Sequence, residues 1–150
     1  MHQDQFAAQL AARLELSLLK FNDDSICRLI FDGEFVVDVE WVDTSQMLHM
    51  YSVVHSRASE LEPKYVQLLK ANLFGRETNG SAFSIDINRD EVLLIQSFRT
   101  TNLDMDVFIK SLELFVDTVS HWKHLLGKSE IETEYEPQES KQSEEGLIRV

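Results

Sequence analysis

The stretch Asp90–Phe98 reads DEVLLIQSF, and both of its alternating sets of side chains are mainly apolar. Successive side chains of a β-strand point to opposite faces of the sheet, so a strand with one solvated face is apolar only at every second position. One set contains Val92, Leu94 and Phe98, with Gln96 as its polar interruption. The other contains Leu93 and Ile95, together with Ser97 and Arg99. We therefore expect a strand that is covered on both faces, in a chain of only 150 residues.

The composition of the chain limits which kinds of partner could cover the second face of this strand. A chain that is 43% hydrophobic and 27% charged is expected to form one globular domain with a sizeable core. The formal net charge of −12 disfavours nucleic acid as a partner, because phosphate binding relies on Lys and Arg. The single cysteine cannot form an internal disulfide, the N-terminus lacks the apolar run of a signal peptide, and no stretch reaches transmembrane length. These features predict a cytoplasmic protein without membrane insertion.

The first part of the chain predicts one helix and three strands. From Gln3 to about Phe21, apolar residues recur at steps of three and four, which indicates an amphipathic helix. The dipeptide Asp32-Gly33 accepts the positive φ angles of a tight turn, so SICRLIFDGEFVVDVEWV predicts a hairpin. The stretch QMLHMYSVVH predicts a third strand. One face of the second strand is apolar and consists of Phe35, Val37, Val39 and Trp41.

The second part predicts a short helix, two strands and a long helix. Pro63 suits the first turn of a helix and Gly75 the position after its end, so KYVQLLKANLF is predicted to be helical. The strands SAFSIDIN and DEVLLIQSF follow, joined by the turn NRDE. Thr101 or Asn102 can cap the last helix, which Gly127 ends. Its apolar stripe consists of Met105, Phe108, Leu112, Phe115, Val119, Trp122 and Leu126.

The predicted order of elements is αβββαββα, an α+β domain with helices packed on a twisted antiparallel sheet. The first and last helices suffice to cover one sheet face, which leaves the short middle helix and the strand DEVLLIQSF without a cover. Large exposed apolar patches mark interaction surfaces, and isologous dimers are the commonest oligomers. We therefore expect a homodimer.

The domain is expected to span residues 1–127. The remaining stretch, KSEIETEYEPQESKQSEEGLIRV at 128–150, is rich in Glu, Ser and Gln and has little to bury. It predicts a disordered acidic tail.

Candidate catalytic and metal-binding residues are few. His121 and His124 lie three apart on the last predicted helix, as some zinc ligands do, but no third ligand pattern accompanies them and exposed polar positions are the favoured interpretation. Cys27 shares a strand face with Leu29 and Phe31, where a buried inert thiol is favoured over a nucleophile. The sequence contains no glycine-rich phosphate loop, nucleophile elbow or paired CxxC motif. It therefore predicts no enzymatic activity, no metal site and no cofactor.

Four stretches together resemble a known family. LLKFNDDSICRLIFDGEFVVDVEW, YVQLLKANLFG, AFSIDINRDEVLLIQSF and DVFIKSLELFVDTVSHWKHLL are similar to parts of class I type III secretion chaperones of the Tir chaperone, or CesT-like, family. The resemblance runs from Phe6 to Leu126. It implies a small acidic dimer, associated with virulence, that binds the N-terminal segment of a secreted effector, keeps it non-globular and helps to deliver it for secretion. It implies no use of ATP, and it names the secretion apparatus ATPase or a regulatory protein as further candidate partners.

The resemblance also implies where the dimer forms, and the apolar surface that remains indicates where the effector binds. Dimerisation is expected through the middle helix and the two strands after it, at Tyr65, Leu68, Leu69, Leu73, Phe83, Ile85, Leu93 and Ile95. The effector is expected to add a strand to the sheet or to lay a helix in a groove. The walls of that groove are predicted on the first helix and the first hairpin, at Phe6, Leu10, Leu14, Leu18, Leu29, Ile30 and Phe31. Each of these residues, taken singly, is equally well explained as part of the core.

A second function class stays open. Some proteins that resemble this family are regulators, which exchange one protein partner for another and so couple secretion to the transcription of secretion genes. The closing GLIRV resembles the ends of several family members of both kinds and does not separate the two hypotheses.

Overall fold

A computed structural model describes residues 1–127, and the predicted acidic tail lies outside the described residues. The elements are α1 (Gln3–Arg13), β1 (Ile26–Phe31), β2 (Phe35–Val42), β3 (Met47–His55), α2 (Tyr65–Ala71), β4 (Ala82–Asp86), β5 (Glu91–Arg99) and α3 (Met105–Leu126). Short 3₁₀-helices at Ala58–Lys64 and Leu73–Gly75 flank α2. The predicted order αβββαββα is confirmed. None of the helices within the described part of the chain combines the length and the apolar character that crossing a membrane requires.

The strands form one five-stranded antiparallel sheet in the order β1-β2-β3-β5-β4, so β1 and β4 are its edges. The predicted hairpin turn is confirmed, because Asp32 has a φ of 54° and Gly33 a φ of 66°. The Glu34 N–H donates to the Phe31 carbonyl oxygen at 3.0 Å, and Phe31 pairs with Phe35 across the turn. On β2, the predicted alternation is also present, since Val37, Val39 and Trp41 are buried.

Helix α1 is shorter than predicted. It ends at Arg13, and Leu14 is the cap residue. Glu15 then takes the left-handed conformation with a φ of 56°, its N–H donates to Ala12, and the Leu16 N–H donates to Ala11 at 2.9 Å. This pair of bonds is a Schellman motif, which normally has Gly or Asn at the left-handed position. The apolar spacing continues past the real end of the helix, so Leu18 belongs to the following segment, which is neither helix nor strand.

Two further boundaries differ from the prediction. The regular part of α2 is one short helix, and Pro63 lies in the 3₁₀-helix before it rather than in its first turn. Neither Thr101 nor Asn102 caps α3. Instead the side-chain Oδ1 of Asp104 accepts hydrogen bonds from the backbone N–H groups of Asp106 and Val107, at 2.8 and 3.1 Å, as a helix N-cap does.

The chain divides into two compact units. Among the described residues, the first comprises Met1–Ser52 and Ile95–Asp117, and the second comprises Val53–Leu94 and residues 118–127. The first unit contains a cluster of aromatic rings, in which the Phe6 ring lies 5.1 Å from Phe108 and 5.6 Å from Trp41, centroid to centroid. Phe6 and Phe108 are fully buried, so this cluster fixes α1 and the start of α3 to the sheet.

The second unit has its own core. The rings of Phe83 and Trp122 meet edge to face at 4.8 Å, and the Trp122 indole N–H donates to the Glu77 carbonyl oxygen at 3.1 Å. In β5, Val92 and Leu94 are fully buried, as the sequence pattern predicts. Leu93, on the opposite face of the strand, is half-buried. Ile95, two residues further along and in the first unit, is half-buried as well.

Candidate binding surfaces

A groove of about 270 Å³ lies in the first unit, between the end of α1, the β1–β2 turn and α3. We call it the acidic groove. Its apolar lining consists of Leu14, Phe31, Ile109, Leu112 and Val116. Of these, only Leu112 is fully buried, and the other four are half-buried. The groove therefore has a covered floor and apolar walls that remain open to a partner.

Charged side chains surround the opening of the acidic groove. They are Arg13, Asp32, Glu113 and Asp117. The Arg13 guanidinium forms an ion pair with Asp106 at 2.5 Å, so its charge is already matched. The three carboxylates are exposed, and none of them forms an ion pair with another residue in the part of the chain that the structure describes. The local field at the groove is negative.

A second cleft, of about 570 Å³, lies between α1 and the segment that follows the Schellman motif. We call it the α1 cleft. Alanines on the exposed side of α1 form one wall, including Ala8 and Ala12, and Leu16 and Leu18 form the other. The small alanine side chains leave room between the two segments, which explains the width of the cleft.

The second unit has an exposed apolar patch on α2, the 3₁₀-helix after it, β4 and the residue that follows β4. We call it the α2–β4 patch, and it consists of Val66, Leu69, Leu73, Phe74, Ile85 and Ile87. Phe74 and Ile87 are the most exposed members, at 83% and 85%. Single exposed apolar residues are common, but a concentration of this kind marks an interaction surface.

The conformation at Phe74 is unusual for an exposed aromatic residue. Its φ is 54°, which places it in the left-handed region. That conformation costs a residue with a Cβ about 1–2 kcal/mol. Gly75 follows with a φ of 65°, and a Cβ there would lie 2.8 Å from the Gly80 Cα, so only glycine fits. Arg76 places its guanidinium carbon 5.6 Å from the centre of the Phe74 ring. The backbone of this turn therefore holds the phenylalanine on the surface.

A family model identifies the protein class. The model of the Tir chaperone protein (CesT) family matches residues 5–123, which is most of the chain. The chain belongs to this family. A chain of the HopA1-SchA chaperone-effector complex is similar to this Tir chaperone family member, with a TM-score of 0.69 at 16% identity over 81% of this chain and 92% of that chain. The Yersinia pestis type III secretion chaperone SycH, solved with a fragment of YscM2, has a TM-score of 0.64 at 16% identity, over 81% and 99%.

One curated relative matches part of the chain. The Chlamydia pneumoniae protein CPj0713/CpB0740 is 35% identical over 63 residues, which cover 42% of this Tir chaperone family member and 47% of that protein. The match therefore spans about half of the length of the relative. The structural likenesses, at 16% identity, establish the fold.

The predicted effector-binding residues of this family member divide into three groups. Phe6, Leu10 and Leu29 are buried in the first unit. Leu14 and Phe31 meet in the acidic groove, and Leu18 lines the α1 cleft. Ile30 is 62% exposed on the edge strand β1. Their role in binding stays a prediction, and the three buried residues can serve only as support beneath the others.

The sequence pattern missed two walls of the acidic groove. Ile109 and Val116 flank the apolar stripe of α3 and were not assigned to any surface. The signal was available in principle, because apolar residues beside a regular stripe widen it beyond what one sheet face requires.

The predicted dimer residues are also divided. Leu68 is 4% exposed and Leu69 is 69% exposed, so these neighbours lie on different faces of α2 and only Leu69 is open to a partner. Phe83 is buried, whereas Tyr65, Leu93 and Ile95 are half-buried. Leu69, Leu73 and Ile85 remain exposed in the α2–β4 patch. The patch adds three residues that the sequence prediction omitted, namely Val66, Phe74 and Ile87.

The candidate reactive residues are placed as follows. Cys27 is buried, and burial, with a further contribution from Asp38, raises the pKa of its thiol from 9.0 to about 11. A thiol that stays protonated is a poor nucleophile. His121 and His124 are exposed on α3. Within residues 1–127, no three His, Cys, Asp or Glu side chains are grouped closely enough to hold a metal ion.

Proposed function

We propose that this protein is a type III secretion chaperone that acts as a homodimer in the bacterial cytoplasm. It binds the N-terminal segment of a secreted effector, keeps that segment non-globular and releases it for secretion, without catalysis or a cofactor. The observation that carries the proposal is the division of the exposed apolar side chains between two surfaces. One lines the acidic groove in the first unit, and the other forms the α2–β4 patch in the second.

The acidic groove suits an extended client. Phe31 lines the groove and belongs to β1, which is an edge strand of the sheet within residues 1–127. At the start of this edge the N–H and C=O of Ile26 bond to Asn22, so a client strand can be added only beyond Ile26. A client segment that adds a strand to β1 gains main-chain hydrogen bonds, and its alternate side chains can enter the groove. Burial of apolar surface, at about 25 cal/mol per Å², offsets the entropy that the client loses on ordering.

The α2–β4 patch suits a second copy of the chain. Its members are apolar and carry no charge, so they can pack against the same patch of another subunit without leaving a buried charge unpaired. Phe74, held on the surface by its backbone, supplies the largest apolar side chain of the patch. Half-buried Leu93 in the same unit would extend the covered area.

The client experiment is purification of the tagged protein from its own host, followed by identification and proteolytic mapping of what binds. We expect a secreted protein bound through its N-terminal segment. We expect Ile30→Asp to weaken the complex, because it places a charge beside the strand that the client would add to β1, on the face opposite Phe31. A matched control is Val107→Asp, because Val107 is similarly exposed but lies at the start of α3. Binding of a folded C-terminal domain, or a small regulatory protein as the sole partner, would contradict the chaperone assignment.

The dimer experiment uses analytical sedimentation of variants of the α2–β4 patch. Leu69→Asp and Leu73→Asp place a charge in a surface that the dimer must desolvate, at a cost of several kcal/mol. We expect folded monomers from both, while Val107→Asp stays dimeric. A wild-type monomer, or two unchanged patch variants, would remove the patch from the interface.

A further inference from the structure

We propose that the acidic groove selects a client segment in which apolar side chains are flanked by Lys or Arg, and that Glu113 and Asp117 are the selecting residues. This inference rests on the proposed function and specifies the chemistry of the client. Apolar grooves alone accept any hydrophobic segment, so a fixed charge at the opening is what distinguishes one segment from another.

The groove combines apolar and acidic side chains on two of its sides. Glu113 and Asp117 lie one helical turn apart on α3, so their side chains lie on the same face. Val116, between them in sequence, and Ile109, one turn earlier, supply the apolar wall that they flank. On the opposite side, Phe31 and Asp32 repeat the combination of an apolar residue and a carboxylate. A segment in the groove therefore meets apolar surface at its centre and negative charge on both sides.

This charge is not neutralised by other residues in the described part of the subunit. Among the described residues that line the groove, the only cation is Arg13. Its guanidinium is paired at 2.5 Å with Asp106, which is not one of the three carboxylates at the opening. Within residues 1–127, the carboxylates of Asp32, Glu113 and Asp117 have no ion-pair partner. A cationic segment would relieve their mutual repulsion, whereas an acidic segment would add to it.

Two other possible occupants are themselves acidic. The chain's own closing stretch, EEGLIRV, has apolar side chains and one Arg, but its two Glu outweigh the Arg and make the net charge of its side chains negative. A second copy of the chain carries a formal charge of −12. The field at the groove disfavours both. A foreign segment with Lys or Arg beside its apolar residues is the occupant that fits.

The test uses fluorescence anisotropy with a labelled synthetic peptide of about a dozen residues, long enough for one added strand. The peptide alternates Leu or Val with Ser and carries two Lys, and its twin has both Lys replaced by Gln. The protein variants are Glu113→Gln/Asp117→Asn and a control, Asp23→Asn/Asp24→Asn. Both remove two exposed carboxylates of the first unit, but only the former changes the groove.

We expect the wild type and the control to bind the Lys peptide about fivefold more tightly than its Gln twin, as two exposed charge pairs allow. The Glu113→Gln/Asp117→Asn variant should lose this preference and bind the Gln twin as the wild type does. High salt should remove the preference in the wild type. An equal loss in both double variants would mean that only net charge matters, and would overturn the proposal.

Two further outcomes count against it. Failure of the wild type to bind the Lys peptide would overturn the proposal. If a protein truncated after Gly127 gained a preference that the full chain lacks, the groove would belong to the chain's own C-terminal stretch. The proposed function is judged separately, by the co-purified effector. A bound effector with an unselective groove rejects only this inference, whereas the absence of any effector rejects the proposed function.

Discussion

The side-chain amide of Asn72 forms two hydrogen bonds with the backbone of Phe83. Its Oδ1 accepts from the Phe83 N–H at 2.6 Å, and its Nδ2 donates to the Phe83 carbonyl oxygen at 3.2 Å. The Asn72 side chain therefore pairs with β4 as one residue of a neighbouring strand would. Because it follows α2 directly, it holds the two parts of the α2–β4 patch, which include Leu73 and Ile85, in one unit.

Asn72→Ala tests this relationship. The substitution removes both hydrogen bonds and leaves two backbone groups of Phe83 without their partner, so we expect the free energy of unfolding to fall by about 2 kcal/mol. Urea unfolding measures this loss. Asn72→Asp is the matched control, because it keeps the acceptor for the Phe83 N–H. Amide exchange at Phe83 should therefore be fast in the Ala variant and slower in the Asp variant; equal exchange would show that the bonds do not hold β4.

Glu15→Gly tests the end of α1. Glycine removes the left-handed strain at this position, but its larger backbone entropy in the unfolded chain cancels part of the gain. We expect the free energy of unfolding to rise by about 0.5 kcal/mol, measured by chemical unfolding. Glu15→Ala keeps a Cβ in the same conformation and should give no such gain. If both variants were stabilised equally, the effect would come from loss of the carboxylate instead.

Cys27 predicts a contribution to stability that depends on pH. Its thiol pKa is about 11 in the folded chain and 9.0 as a reference, so between these values the folded state holds more protons than the unfolded state. The contribution of the protonated Cys27 thiol to the free energy of unfolding is fully present below pH 9 and decreases as the pH rises towards 11. Cys27→Ala should therefore lose less stability than the wild type over this interval, as measured by urea unfolding. Parallel pH dependence in both proteins would contradict the shifted pKa.

The alkylation rate of Cys27 gives a second measurement. At about pH 8, iodoacetamide should react with the folded protein far more slowly than with the urea-unfolded protein, because the buried thiol stays protonated. Equal rates, followed by mass spectrometry, would show that the site opens readily.

Phe74→Gly is expected to change folding and association in opposite directions. Glycine relieves the left-handed conformation and should stabilise the subunit, whereas loss of the ring should weaken the proposed dimer about tenfold or more, given the free energy of burying one aromatic side chain. Phe74→Ala is the control that weakens the dimer without the stabilising effect. Sedimentation measures the strength of the dimer, and unfolding in a Leu69→Asp background measures the stability of the subunit. A dimer unaffected by both variants would exclude Phe74 from the interface.

Local signals in the sequence predict the hairpin well and the end of α1 poorly. The Asp32-Gly33 turn and the alternation in β2 depend on neighbouring residues, so the pattern contains all that is needed. Glu15 ends α1 in the left-handed conformation, which a glutamate in the sequence does not indicate. Leu14 and Leu18 also continue the helical spacing of apolar residues by chance. That coincidence extended the predicted helix beyond Arg13.

The two surfaces could be predicted only in part, for a different physical reason. Whether Leu68 or Leu69 is buried depends on which side of α2 packs against the rest of its unit, and a seven-residue helix is too short for its spacing to decide this. The bond between Asn72 and Phe83 joins residues that are distant in sequence, so no local pattern indicates it. Ile109 and Val116 become groove walls only because the end of α1 and the β1–β2 turn lie opposite them.

The protein contains two tryptophans, and each unit has one of them. Trp41 lies beside Phe6 in the first unit, where its indole N–H donates to Asp43, and Trp122 lies against Phe83 in the second. Both are buried, so each indole reports the opening of its own surroundings through its emission wavelength. Single-tryptophan variants, Trp41→Phe and Trp122→Phe, therefore provide an intrinsic optical probe for each unit. Denaturant titrations of these two variants would show whether the subunit, without a client, unfolds in one cooperative transition or in two.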